Sequence, residues 1–137
     1  MHENQINNDG IAHITKSLGS NQTLTILDLT MNKIADKGIE VLGEALTRNT
    51  TLVKLSVKNN EFKDGGAASL AEHLRDNETL LYLDVSINDF DYRYAATIQE
   101  KIQSNQKVYN SKSEERLKKS LDVLRVRLLL NMSDVKL

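Results

Sequence analysis

The sequence has no cysteine, no proline and no tryptophan among its 137 residues, and aromatic residues make up only 4% of it. Without cysteine the chain forms no disulfide bonds, which is typical of proteins from reducing, intracellular compartments. The formal net charge is −1, and no basic stretch is interleaved with aromatic residues, so nothing predicts binding to nucleic acid. No apolar run reaches the length of a membrane span. The length predicts a single domain.

Residue patterns typical of catalytic sites are also missing. The three histidines are His2, His13 and His73. Without cysteine, a zinc site would need a cluster of histidines and carboxylates, which this spacing does not assemble. The run Asp64-Gly65-Gly66 has the glycines of a phosphate-binding loop but lacks its lysine and its serine or threonine. We therefore expect a protein without enzymatic activity, metal or cofactor.

What the sequence does contain is a repeat of 28 residues. Three successive rows share the order L-x-x-L-x-[LV]-x-x-N-x-[IF], followed by a helix-like second half. Self-similarity at a fixed period is the sequence signature of a repeat architecture. The rows are TLTILDLTMNKIADKGIEVLGEALTRN, TLVKLSVKNNEFKDGGAASLAEHLRDN and TLLYLDVSINDFDYRYAATIQEKIQSN.

The first half of each row predicts a short strand followed by a turn. In the first row Leu27 and Leu29 alternate with Asp28, so one side of the strand is buried and the other faces water. Asn32 then lies where the chain must turn, and its amide can bond the backbone of its own loop and of the next coil. Since Asn60 and Asn88 occupy the same position, we expect a ladder of stacked amides.

The second half of each row predicts an amphipathic helix. Ile39, Leu42 and Leu46 are spaced by three and four residues, which places them on one face of a helix that packs against the sheet. Asn49 follows the helix, and asparagine tolerates the left-handed conformation that ends helices. We expect the same of the equivalent residues Asn77 and Asn105.

This order of residues resembles the leucine-rich repeat, and the period with its helical second half is similar to the ribonuclease-inhibitor subtype of intracellular proteins. The resemblance covers residues 1 to about 107. It implies an α/β fold, a leucine-rich repeat solenoid with a curved parallel sheet inside and helices outside. Extracellular members usually seal their ends with disulfide-bonded caps, so the absence of cysteine favours a cytoplasmic, intracellular protein.

A partial repeat precedes the three complete ones. Subtracting 28 places Gly10 under Gly38 and Leu18 under Leu46, so Met1 falls in the middle of a strand. A solenoid hides the apolar side of each coil only against a neighbour. We therefore expect an unprotected first coil and interpret the chain as the C-terminal portion of a longer protein, the alternative being a start codon that simply lies there.

A different element follows the repeats, because Ser111 and Ser113 occupy positions that should be buried. Ser111 and Glu114 form a capping box, which predicts a helix from about Lys112 to Leu130. The predicted organisation is one partial and three complete leucine-rich repeats over residues 1–107, then a C-terminal capping helix and tail over residues 108–137.

The predicted C-terminal helix carries two apolar stripes. The first is expected to cover the open end of the solenoid and consists of Leu117, Leu121, Leu124 and Leu128. The second lies about half a turn away and needs either a partner protein or cover from the tail Met132 to Leu137; it consists of Val123, Val126 and Leu130. The basic residues of this helix could meet an acidic partner or a membrane surface, although acidic residues share the helix and favour a solvated face.

The concave face of the sheet is the candidate binding site, because solenoids usually dock their partners there. Tyr82 provides a large amphipathic contact surface, and Lys54 and Lys58 lie between Asp28 and Asp84. Such mixed charge suits a protein or peptide; the alternative is that these are merely solvated strand residues. The outward columns are Ile26, Lys54 and Tyr82; Asp28, Ser56 and Asp84; and His2, Thr30, Lys58 and Ser86.

These patterns predict a non-enzymatic protein–protein interaction module, a scaffold or adaptor. The alternatives are a cytoskeletal or axonemal component, the ligand-reading end of a sensor, and a Ran-type GTPase activator. The last would need an arginine on the loops after the strands, and those loops have none. The expected partner is a protein or peptide. Self-association through the uncapped N-terminal repeat or the C-terminal helix is also open.

Overall fold

The structure is a computed structural model that describes residues 4–133, with side chains described as far as Leu130. It divides into two compact units, Met1–Asn105 and Gln106–Leu137, and the last helix contributes to both. The elements in chain order are α1 (Asn8–Leu18), β1 (Ile26–Asp28), α2 (Asp36–Arg48), β2 (Lys54–Ser56), α3 (Asp64–His73) with a 3-10 turn at Leu74–Asp76, β3 (Tyr82–Asp84) and α4 (Tyr92–Ser133).

The three strands form one parallel sheet in the order β1-β2-β3. Leu27 pairs with Leu55, and Leu55 pairs with Leu83. Each strand is therefore offset from the next by the 28 residues of the sequence repeat. This register confirms the predicted leucine-rich repeat architecture, in which every coil supplies one strand and one helix.

The hydrophobic core lies between the sheet and the helices. The side chains of Ile39, Leu42 and Leu46 are fully buried, which confirms the helix face expected from their spacing. Phe62 stacks on Phe90 with ring centroids 5.2 Å apart. Each such buried side chain contributes roughly 1.5 to 3 kcal/mol to the free energy of folding.

The predicted partial repeat contributes helix α1 to this core. Its residues Ile11 and Leu18 are buried, and Ile14 is partly buried against them. The predicted strand around Met1 lies outside the described residues.

A ladder of asparagine side chains joins successive coils. The Nδ2 group of Asn60 donates to the carbonyl of Leu29 in the preceding coil at 2.9 Å and to the carbonyl of Val57 in its own loop at 3.0 Å. Its Oδ1 accepts from the backbone N–H of Ile34 at 3.1 Å. Asn88 repeats the two donor bonds one coil later, to the carbonyls of Val57 and Val85, while its Oδ1 accepts from the backbone N–H of Asn60. The expected ladder is thus confirmed, although each amide bonds backbone of the preceding coil rather than the next.

The asparagines that end the helices form a second ladder. The Nδ2 group of Asn77 donates to the Leu46 carbonyl at 2.9 Å, while its Oδ1 accepts from the backbone N–H of Thr79 at 3.1 Å and of Leu80 at 2.9 Å. The backbone is extended at Asn49 (φ −79°, ψ 127°) and at Asn77 (φ −79°, ψ 121°). The expected left-handed conformation is therefore wrong at these residues, because the side chain satisfies the next amides and leads the chain directly into the next strand.

A third ladder links the helix starts. Asp36 Oδ1 accepts from the backbone N–H of Lys63 at 2.6 Å, and Asp64 Oδ1 accepts from that of Asp91 at 2.7 Å. Asn8 holds the equivalent position in α1 and bonds the backbone of the next coil in the same way. The first residue of each helix therefore fixes the residue that precedes the next helix.

The left-handed conformation occurs instead at the turn after each strand. Met31, Asn59 and Ile87 have φ angles of 57°, 54° and 56°, and they stand 28 residues apart. Asparagine tolerates this conformation, whereas a β-branched residue is strained in it. Ile87 gains little from burial, because its side chain is 64% exposed.

The C-terminal helix differs from its prediction in the residue where it starts and in the exposure of its leucine stripe. Helix α4 begins at Tyr92 and continues without a break to Ser133, so the predicted start near Lys112 is wrong. The segment contains no glycine or proline to end the helix. The capping-box residues Ser111 and Glu114 lie in the helix interior.

The predicted capping role of the leucine stripe is also wrong. A capping stripe would be buried. The four leucines of the predicted stripe are instead 53% to 64% exposed, namely Leu117, Leu121, Leu124 and Leu128. The side chains of the second stripe, Val123, Val126 and Leu130, are exposed as well. The tail predicted to cover them, Met132 to Leu137, lies outside the described side chains.

Replacing the central ladder residue tests its contribution. We expect Asn60→Ala to lower the free energy of unfolding by about 3 kcal/mol, because buried backbone groups of two coils lose their partners. Urea unfolding followed by circular dichroism measures the change. Asn110→Ala, the same change at an exposed position of α4, serves as the control and should be close to neutral. A small loss at Asn60 would contradict the assigned role of the ladder.

Exchanging residues at the left-handed position tests the strain there. Ile87→Asn should raise the free energy of unfolding by about 1 kcal/mol, because asparagine accepts this conformation. Asn59→Ile in the equivalent turn should lower it by a similar amount. Thermal unfolding midpoints of the two variants should therefore move in opposite directions, and a shift in the same direction would show that strain does not determine the effect.

Candidate functional site: the outer sheet face

The strands place one set of side chains on the face opposite the helices, and we call this set the sheet face. Leu55 and Leu83 point into the core, so the neighbouring strand residues point outward. Nine predicted site residues lie on this face in three columns. The sheet face consists of Ile26, Lys54 and Tyr82; Asp28, Ser56 and Asp84; and Thr30, Lys58 and Ser86. The tenth, His2, lies outside the described residues.

An exposed cation and an exposed aromatic ring meet in the first column. The strand register sets Lys54 opposite Tyr82, and the Lys54 Nζ atom lies 4.8 Å from the centroid of the Tyr82 ring. A cation within about 6 Å of a ring centroid is attracted by the ring's negative face. Tyr82 is still 47% exposed, so the pair offers both apolar area and charge to a partner.

Hydroxyl groups and carboxylates form the second and third columns together with Lys58. Asp84 Oδ1 accepts from the Ser86 hydroxyl at 2.6 Å and from the Ser86 backbone N–H at 3.0 Å. In the first coil Asp28 Oδ1 accepts from the Thr30 backbone N–H at 2.9 Å. These local bonds hold the carboxylates in fixed positions beside the lysines.

The same bonds keep both carboxylates charged. The Ser86 hydroxyl, the Ser86 backbone N–H and the positive charge of Lys58 hold the pKa of Asp84 below its usual value, against the opposing effect of desolvation. The Thr30 side chain and backbone, with Lys54, lower the pKa of Asp28. Both groups are therefore ionised at neutral pH.

The lysines of the sheet face remain available to a partner. Among the described side chains, no carboxylate oxygen lies within 4.0 Å of the Nζ atom of Lys54 or Lys58. Their charges alternate with those of Asp28 and Asp84 across the three strands, as the sequence predicted. The face can therefore bind groups of either sign.

Two apolar side chains beside the sheet face were not among the predicted site residues. Met31 and Ile87 are 60% and 64% exposed at the turns that follow β1 and β3. The signal in the sequence was an apolar residue directly before the repeat asparagine. Next to Ile87, a shallow groove opens between β3 and the first turns of α4, and Val85 and Phe90 are among its lining residues.

The described residues contain no arrangement suited to metal binding or membrane crossing. Within residues 4–130 no group of three or more histidines and carboxylates could hold a metal ion. His13 and His73 bond backbone carbonyls of their own helices through Nδ1. In the part of the chain that the structure describes, no helix has both the length and the apolar character of a membrane span.

Removing one hydroxyl tests the electrostatics of the face. Ser86→Ala should raise the pKa of Asp84 toward its usual value, because the hydroxyl is the largest cause of its lowering, and should leave the pKa of Asp28 unchanged. Carboxyl carbon shifts in an NMR pH titration measure both. A lowered folded-state pKa stabilises the fold above pH about 4, and this contribution is lost as the pH falls below it. An unchanged Asp84 pKa in the variant would contradict the assigned bond.

Comparison with known proteins supports the fold at two levels. The family described as leucine rich repeat matches residues 20–43 and 48–71. No curated protein sequence matches the chain. Among the matching solved structures is one titled "Leiomodin-1 Actin-Binding Site 2 (ABS2)", which is 24% identical with a TM-score of 0.69. The match covers 83% of this chain and 66% of that one, so the chain spans just under two thirds of the leiomodin chain. Its repeat register, its family match over residues 20–43 and 48–71 and its structural likeness together show that the chain contains leucine-rich repeats and has the leucine-rich repeat fold.

Proposed function

We propose that this chain is a non-enzymatic protein–protein interaction module, a scaffold or adaptor, that binds a protein or peptide on its sheet face. The observation that carries the proposal is the exposed pair of Lys54 and Tyr82, which lies beside the column that holds the two ionised carboxylates, Asp28 and Asp84. Aromatic residues are enriched in the few contacts that dominate binding energy, and alternating charge orients a partner.

The size of the face favours an extended contact. Three strands about 4.8 Å apart, with outward residues spread over about 13 Å along each strand, present roughly 190 Å². A stable protein interface buries about 800 Å² on each partner. We infer that the partner also contacts the turns after the strands, where Met31 and Ile87 expose apolar side chains next to the charged columns.

Three finer predictions belong to this proposal. The ribonuclease-inhibitor-like subtype is supported by the 28-residue period with a helix in each coil. The division into repeats over residues 1–107 and a separate element over 108–137 is supported by the loss of the leucine pattern. A cytoplasmic, intracellular location is supported by the lack of cysteine. The exposed residues Val123, Val126 and Leu130 remain a second predicted partner face.

A cytoskeletal role is the second candidate. It is supported by the structural likeness to a chain titled as an actin-binding site of leiomodin-1. Co-sedimentation with filamentous actin tests it directly. Recovery of the chain in the actin pellet, reduced by Lys54→Glu, would make actin the partner of the sheet face. Recovery that Lys54→Glu does not change would assign actin binding to another surface.

Site-specific crosslinking tests the sheet face itself. With a photoreactive phenylalanine in place of Tyr82, we expect a discrete protein-sized adduct in cells, because Tyr82 is the large exposed aromatic side chain of the proposed interface. The matched control places the same group at Glu44, exposed on helix α2, where no such adduct should form. Adding Lys54→Glu to the Tyr82 probe should reduce the yield about 10-fold. Equal yields from the two positions would refute the proposal.

A further inference from the structure

An unpartnered leucine stripe lies on the C-terminal half of helix α4. Its members follow one another at spacings of four, three and four residues. At 100° of rotation per residue, this spacing confines them to an arc of about 60° on one side of the helix. All four are more than half exposed within the described chain. The leucine stripe consists of Leu117, Leu121, Leu124 and Leu128.

The residues that flank this stripe carry charge of one sign. Lys118 and Arg125 lie on one side of it and Arg127 on the other, as their positions on the helix require. Among the described side chains no carboxylate oxygen lies within 4.0 Å of the nitrogen atoms of any of the three. Glu114, one turn before Lys118, does not pair with it either. These three flanking cations therefore form no ion pair with a described carboxylate.

Two acidic residues, Glu115 and Asp122, lie away from the stripe, whereas Glu114 precedes it by about one turn, in line with it. Glu115 and Asp122 fall on the opposite side of the helix, where Lys119 pairs with Glu115 at 2.8 Å. A randomly solvated helix would distribute both signs around its circumference. Here the leucine stripe is bordered by positive charge from Lys118 to Arg127.

We propose that the leucine stripe is a docking surface for an amphipathic helix of another protein whose apolar stripe is flanked by glutamate or aspartate. Anchors at positions i, i+4, i+7 and i+11 are the pattern of helix-to-helix recognition. Flanking charges select the partner in such pairs. Carboxylates on the partner would lie opposite Lys118, Arg125 and Arg127.

Two other occupants fit less well. A second copy of this chain would present the same three cations and no flanking carboxylate between Lys118 and Arg127 to face them. A membrane surface suits a helix with one broad apolar face, whereas the arc of this stripe is narrow and basic residues separate it from Val123 and Val126.

The test uses a synthetic probe of defined chemistry. A fluorescent 28-residue helical peptide carries leucine at the heptad a and d positions and glutamate at e and g; the matched control peptide carries lysine at e and g. Anisotropy titration with the whole chain should give a dissociation constant at least about 10-fold lower for the glutamate peptide. Added salt should weaken this binding, because charge pairs contribute to it.

Variants of the chain locate the binding surface. Leu121→Gln with Leu124→Gln should weaken binding of the glutamate peptide at least about 10-fold. Val123→Gln with Val126→Gln, the same change on the other side of the helix, should leave it unchanged. Since all four residues are exposed, circular dichroism should show the same helix content in both variants.

Charge reversal on the chain provides the second test of the proposal. Lys118→Glu, Arg125→Glu and Arg127→Glu together should switch the preference to the lysine peptide. The proposal is overturned if neither peptide binds or if both pairs of glutamine variants lose binding equally. It is likewise overturned if the leucine stripe mediates binding to vesicles with phosphatidylserine or dimerisation in sedimentation instead. None of these results bears on the sheet face, which the Tyr82 crosslink tests separately.

Discussion

A hydrogen bond from a repeat side chain to the backbone of the adjacent coil is the interaction on which the fold depends. The strands contain only three residues each, so the sheet alone offers few bonds between coils. Asn60 adds bonds to its own loop and to the preceding coil, and Asn77 does the same after helix α3. Asp36, at the start of helix α2, accepts from the backbone of the next coil. Because these groups recur every 28 residues, one inserted residue would misplace each of them.

The same periodic bonding positions the proposed binding surface. The register that sets Leu27 opposite Leu55 also sets Lys54 opposite Tyr82, where the cation and ring meet. The turns after the strands hold Met31 and Ile87 in the left-handed conformation and expose their side chains. The proposed function of this face therefore depends on a scaffold that fixes backbone positions and leaves the outward residues free to vary.

The sequence predicted the parts of the structure that periodicity controls. The alternation around Asp28 located the outward columns, and the spacing of Ile39 and Leu42 located the buried helix face. The sequence wrongly predicted the left-handed conformation at Asn49. That preference of asparagine competes with the capping of the next amides by the Asn49 side chain, and the capping bonds determine the conformation. The sequence also placed a helix start near Lys112, after the capping residue Ser111, because a capping box is a local signal that cannot end a helix already in progress.

Hydrogen exchange at the amides that receive side-chain bonds tests the central claim most directly. Asn60 Oδ1 accepts from the Ile34 N–H, and Asn88 Oδ1 accepts from the Asn60 N–H. If these bonds join the coils, both amide protons should exchange only by global unfolding, as slowly as the core strand amide of Leu55. Exchange at the rate of an exposed loop amide would show that these side-chain bonds do not hold the coils together and would contradict the account.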